Sequence, residues 1–269
     1  MNAPAITDWD DAYANADHIE GADAFVATWP KEAEAFRTSW IKKDLDIHYG
    51  PSDRQRLDMF HPEQRPKGLV VFVHGGYWLR FGKSDWSHFA TGALGKGWSV
   101  CLPGYDLAPQ VRISDITCQI GAAIQKAAER VEGPIHLAGH SAGGHLVTRM
   151  ICEGSPLSDE IRSRIEAVVS ISGLHDLRPL LNTKMNDAFA MSESDAIAES
   201  PALLRPSHDC RVVAWVGSDE RPEFLRQSQV LAKAWPTVAF HKEAGKHHFN
   251  VIDGLKDPSS ELMAALIGD

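Results

Sequence analysis

From residue 68 onward the chain alternates short runs of Val, Ile and Leu with longer amphipathic segments, and this rhythm constrains the fold more than any other feature. The runs fall at 68–73, 98–103, 134–138, 165–171, 211–216 and 237–241. They are apolar almost throughout, as strands covered on both faces must be. Helix-like segments lie between or after them at 84–95, 113–130, 142–153, 222–235 and 258–267. Alternation of this kind predicts a mainly parallel sheet with right-handed crossovers and helices on both faces. Ahead of it, 45–49 and 56–61 alternate apolar with polar residues around the turn-rich Tyr49-Gly50-Pro51-Ser52-Asp53, which predicts an antiparallel hairpin. Six runs and a hairpin give eight strands.

Two stretches lie outside the rhythm. Residues 1–43 read as a helical N-terminal arm with Trp9, Trp29 and Trp40 as anchors. About 40 residues separate the run ending at Ile171 from that starting at Arg211, more than a plain crossover needs. The excess, about 175–207, reads as a cap insertion that Pro179, Pro201 and Pro206 would break into short pieces. The expectation is a single domain over 1–269, since a chain of this length buries roughly 70–75% of its unfolded surface without staples.

Composition excludes several classes. At 43% apolar the chain is not disordered, and a net charge of −9 leaves no excess of Lys and Arg for nucleic acid or an anionic membrane. The four cysteines are scattered and form no C-x-x-C pair, which disfavours a zinc or redox site. No signal-like N-terminus and no apolar run of membrane-spanning length is present, so a cytoplasmic location is expected.

The chemistry starts at Gly139-His140-Ser141-Ala142-Gly143, a G-x-S-x-G between a strand and an amphipathic segment. A sharp strand-to-helix turn there lifts a serine hydroxyl above the sheet. His74-Gly75-Gly76-Tyr77-Trp78 follows the third strand, where a glycine pair lets backbone N–H groups approach a developing oxyanion. The second donor would be the N–H of Ala142. His74 reads as a loop-fixing residue. Tyr77 and Trp78 either line a substrate pocket or pack beneath it.

A serine nucleophile needs a base, and the base an orienter. Of the histidines after Ser141, only His247 and His248 sit in a loop between the last strand and the last helix; adjacency does not separate them. Three acids are candidates. Asp219 and its neighbour Glu220 follow the strand at 211–216, and Asp176 follows the strand before it. Asp219 is favoured.

In these motifs the chain resembles the α/β-hydrolase superfamily, its carboxylesterase and lipase-like members, and most closely the kynurenine formamidase (arylformamidase) type. The matching residues are His74-Gly75-Gly76-Tyr77-Trp78, Gly139-His140-Ser141-Ala142-Gly143, Ser172-Gly173-Leu174-His175-Asp176-Leu177, Pro222-Glu223-Phe224-Leu225-Arg226-Gln227-Ser228 and His248-Phe249. The resemblance implies Ser141 as nucleophile, Asp219 as acid and His248 as base. It implies an oxyanion hole from Gly75, Gly76, Tyr77 and Ala142, and leaves Asp176 structural. The activity implied is hydrolysis of a small carboxylic ester or an aryl formamide such as N-formylkynurenine, through an acyl-enzyme, with neither cofactor nor metal. Tyr77, Trp78 and His140 are the candidate pocket residues, and Arg80 or Arg178 would meet an anionic substrate group. The expected partner is the small-molecule substrate alone, with a homodimer left open. The alternatives are a formamidase proper, a non-catalytic binding protein of the same fold, and a metal-dependent amidase using His136, His140 and His145, whose spacing is not H-E-x-x-H.

Overall fold

The computed structural model describes residues 6–268. Its strands are β1 (Lys43–His48), β2 (Arg56–Phe60), β3 (Leu69–Val73), β4 (Ser99–Pro103), β5 (Ile135–His140), β6 (Ile165–Ile171), β7 (Arg211–Gly217) and β8 (Ala239–Glu243). They form one sheet in the order β1-β2-β4-β3-β5-β6-β7-β8. β1–β2 and β2–β4 are antiparallel, and every pair from β4 to β8 is parallel. The expected eight-stranded, mainly parallel sheet is thus what the chain forms.

The helices are α1 (Trp9–Tyr13), α2 (Ala22–Ser39), α3 (Thr91–Gly95), α4 (Ile113–Ala128), α5 (Ala142–Arg149), α6 (Asp159–Arg162), α7 (Asn186–Phe189), α8 (Glu193–Ala198), α9 (Pro222–Ala234) and α10 (Glu261–Ile267). Successive strand residues point to opposite faces and so feed two cores. Val71 and Leu137 pack with Ile116, Ile120 and Ile124 of α4, Leu146 of α5 and Phe224 of α9. Val70 and Ala138 pack with Trp29 of α2, Leu94 of α3 and Leu262 and Met263 of α10. Ile116, Ile120 and Ile124 of α4 recur every four residues and are fully buried, each stabilising by about 1.5–3 kcal/mol.

Several boundaries differ from expectation. The segment 84–95 is two 3₁₀ turns, Lys83–Asp85 and Ser87–Ala90, followed by the short α3. Helix α5 stops at Arg149 because Cys152 is drawn into a bridge with Pro206. Strand β8 begins at Ala239 because a turn, Val238 N–H to Trp235 C=O, takes up the residues before it. Residues 175–207 are short helical pieces: 3₁₀ turns at Arg178–Asn182 and Pro201–Leu203, with α7 and α8 between. A buried ion pair, Arg149 with Glu199, joins α5 to this segment. No described helix is long and apolar enough to cross a membrane.

Candidate active site

Ser141 stands between β5 and α5 with φ 56° and ψ −119°, a conformation that costs about 1–3 kcal/mol for a residue with a side chain. Two glycines make the turn passable. A Cβ on Gly139 would lie 2.1 Å from the Gly143 carbonyl oxygen, and one on Gly143 would lie 2.0 Å from that of Val73. The Ser141 N–H is fixed by the Ile171 carbonyl at 2.8 Å. The residue is buried apart from the face that lines a cavity of about 420 Å3.

The loop after β3 lies against this turn. A Cβ on Gly75 would be 2.9 Å from Ser141 Cβ, so only glycine lets the backbone come this close to Ser141. Gly76, Tyr77 and Trp78 all have positive φ. Among the described residues, the N–H groups of Gly75, Gly76, Tyr77 and Ala142 donate to no other protein group. His74 holds the loop: its ring stacks on Tyr105 with centroids 4.3 Å apart, Nδ1 donates to the Gly75 carbonyl at 2.7 Å, and the Tyr105 hydroxyl donates to the His74 carbonyl at 2.9 Å. Burial pushes the His74 pKa down to about 4, so the ring is neutral at pH 7.

Of the adjacent histidines, His248 faces the cavity. Its Nδ1 donates to Glu220 Oε2 at 2.7 Å, and both side chains are almost fully buried. His247 turns the other way, edge-on to Phe25 of α2 at 5.2 Å. The acid is where the sequence expectation needs correction. Asp219 is exposed, bonds its own neighbour Ser218 Oγ at 2.7 Å, and has its N–H on the Lys246 carbonyl. The chain turns outward there and returns one residue later. Glu220 Oε1 then closes the turn by accepting the Gly217 N–H at 2.8 Å together with the Ser172 hydroxyl. The buried carboxylate is therefore satisfied on both oxygens, as a buried charge must be. Asp176 makes a two-bond pair with Arg178, each contact 2.9 Å, which also occupies that arginine.

The candidate pocket residues separate. Tyr77 and His140 line the cavity. His140 Nε2 donates to the His248 carbonyl at 2.9 Å, and burial keeps its ring neutral, with a pKa well below the usual value. Trp78 does not line it. Fully buried beneath the loop, it packs edge-on to His145 at 5.2 Å and Phe189 at 5.7 Å. Arg80 lines the cavity, is exposed, and has no carboxylate partner among the described residues. The outer wall comes from the N-terminal arm: Tyr13, Asn15, Val26 and Trp29 all contribute, and Met185 of the insertion joins them. Ser172 stands in one of the matched motifs and Trp29 among the anchors of the arm, but nothing in the sequence assigned Ser172 to the Glu220 carboxylate or Tyr13 and Asn15 to the cavity, because those approaches are made by long-range packing. Among the described residues no three His, Cys, Asp or Glu side chains converge as a metal site would require.

Residues 70–262 match the alpha/beta hydrolase family. Over 239 residues the chain is 31% identical to a kynurenine formamidase of Salmo salar, covering 83% of this chain and 80% of that protein. A kynurenine formamidase of Danio rerio is 29% identical over 242 residues, covering 83% and 82%. Among solved structures, a protein from Silicibacter sp. provisionally described as a thioesterase superposes with a TM-score of 0.94 at 52% identity, over 96% of this chain and 98% of that one. Esterase B from Lactobacillus rhamnosis shares the fold, with a TM-score of 0.64 at 18% identity over 88% and 90%.

Proposed function

The chain belongs to the alpha/beta hydrolase family, and from that premise we propose that it cleaves small carboxylic esters or aryl formamides through Ser141, His248 and Glu220. The observation that carries this reading is the 2.7 Å bond from His248 Nδ1 to the buried Glu220 carboxylate, with His248 and Ser141 on one cavity. That bond fixes the tautomer in which Nε2 is unprotonated and free to act as base.

In the first step Ser141 Oγ attacks the acyl carbon as its proton passes to His248 Nε2. The oxyanion that develops is met by backbone N–H groups from Gly75, Gly76, Tyr77 and Ala142, which among the described residues carry no other bond. Glu220 stabilises the imidazolium, which then protonates the departing alcohol or amine. Water attacks the acyl-enzyme with His248 again as base, and the acid is released.

A cavity of about 420 Å3 walled by Trp29, Phe81, Trp86 and Phe249 suits a small aromatic or short acyl substrate better than a long chain. N-formylkynurenine is the specific candidate. It is suggested by the names of the relatives and by Arg80, which has no carboxylate partner among the described residues and would meet a substrate carboxylate. The test compares kcat/KM for p-nitrophenyl acetate, longer acyl esters, a short acyl thioester and N-formylkynurenine. The expected result is a preference for the short or aryl-formamide substrates; a strong preference for long acyl chains would overturn it.

A further inference from the structure

Tyr77 belongs to the oxyanion loop, yet its hydroxyl points away from the loop to the N-terminal arm. It donates to the Tyr13 carbonyl at 2.6 Å and accepts from Asn15 Nδ2 at 3.3 Å. Its backbone has φ 55°, a region costly for a bulky residue unless its surroundings impose it. The arm is itself anchored on the far side of the site. The Tyr13 hydroxyl donates to Glu223 Oε1 at 2.7 Å and accepts from Gln227 Nε2 at 3.1 Å. Glu223 is in turn gripped by Arg226 through two bonds of 2.7 Å. Asp11 pairs with Arg221, which also donates to the Asp11 carbonyl at 3.0 Å. Arg221 directly follows Glu220.

Residues 11–15 therefore join the loop after β3 to the loop after β7. These loops are not neighbours, since β5 and β6 lie between them in the sheet. One loop carries the oxyanion donors and the other carries the acid that orients His248. We propose that this arm segment is a strap that sets the distance between the two, with Tyr13 and Asn15 acting as positioning residues through the Tyr77 hydroxyl. The inference rests on the serine-hydrolase reading above. A segment that only walled the cavity would govern how substrate binds. A strap governs how well the N–H donors meet a charge that exists only in the transition state.

The experiment uses the full chain with Tyr77→Phe, Asn15→Ala and the double variant, reading kcat and KM for p-nitrophenyl acetate, the rate of fluorophosphonate labelling, and Tm. Removing an oxyanion donor outright costs about 10²–10³ in kcat, so misplacing one should cost about tenfold or more. Tyr77→Phe is expected to lose at least that in kcat with KM within about twofold, and labelling should slow in step. Asn15→Ala should lose less, and the double variant no more than Tyr77→Phe alone, because both act through one hydroxyl. Unchanged kcat, or a change confined to KM or to Tm, would overturn the strap. If Tyr77→Phe does not fold, Tyr13→Phe, which frees the anchor and leaves the Tyr77 bonds in place, is read for the same split between kcat and KM. Wild-type protein that lacks Ser141-dependent labelling refutes the hydrolase reading. Normal labelling of wild type and Tyr77→Phe alike refutes the strap alone.

Discussion

Glu220 and Asp219 are adjacent, both acidic and both in the loop after β7, so their chemistry separates only in three dimensions. Glu220 accepts three hydrogen bonds in a buried site, whereas Asp219 is solvated. Glu220→Gln leaves the shape but destroys the preference for the tautomer with a free Nε2, so kcat is expected to fall by about 10³–10⁴. Asp219→Asn should stay within a few-fold of wild type. The reverse ranking in steady-state kinetics would restore Asp219 as the acid. The strand-to-helix turn at Ser141 and the glycine loop after β3 were legible in the sequence because each needs glycine at fixed spacing. The acid was not, because a one-residue shift in a loop leaves no periodic trace. Trp78 was ambiguous for a related reason: with φ 57° it points beneath the loop into the core, and no pattern in H-G-G-x-W encodes that direction.

At the scale of elements, the parallel strands were readable because burial on both faces makes them continuous apolar runs. The helices were readable where a regular stripe exists, as in α4, and not where aromatic packing replaces it. In 84–95, Trp86 sits between two 3₁₀ turns, its ring 4.7 Å from that of Trp29 at a tilt of 35°. The junction of β3, β5 and α5 is the tightest element contact at the site. Gly143→Ala would set a Cβ 2.0 Å from the Val73 carbonyl, and overpacking of that kind costs roughly 1–3 kcal/mol. The expected result is a Tm lowered by several degrees together with loss of activity, because β3 leads directly into the oxyanion loop. Wild-type Tm and kcat in this variant would show that the junction is looser than described.

For the whole molecule, the sheet and the presence of an arm and an insertion outside it were foreseeable, whereas the particular residues with which they wall the cavity were not. Its outer wall is the N-terminal arm, more than 100 residues from Ser141 in sequence, held by the bonds of Tyr13 to Glu223 and Gln227 and by the Asp11–Arg221 pair. The interior also sets a pH limit. Burial lowers the folded pKa of His74 to about 4 and those of His145 and His175 to about 3. Unfolded histidine takes up its proton near 6.5, so below that pH the unfolded chain binds protons that the fold refuses. Stability is thus full above about pH 6.5 and falls as the pH drops toward 3–4, by up to about 1.4 kcal/mol per pH unit for each such residue. Thermal melts should show Tm level from pH 8 to 7 and declining from about 6.5; a level Tm down to pH 4.5 would contradict this. The central claim, that Ser141 is an activated nucleophile, is tested most directly by intact mass after treatment with an organophosphate. The account predicts one adduct per wild-type chain, on Ser141, and none on Ser141→Ala. No adduct on wild type would favour a binding protein built on the hydrolase fold, and an unchanged adduct on Ser141→Ala would place the nucleophile elsewhere; either result contradicts the account.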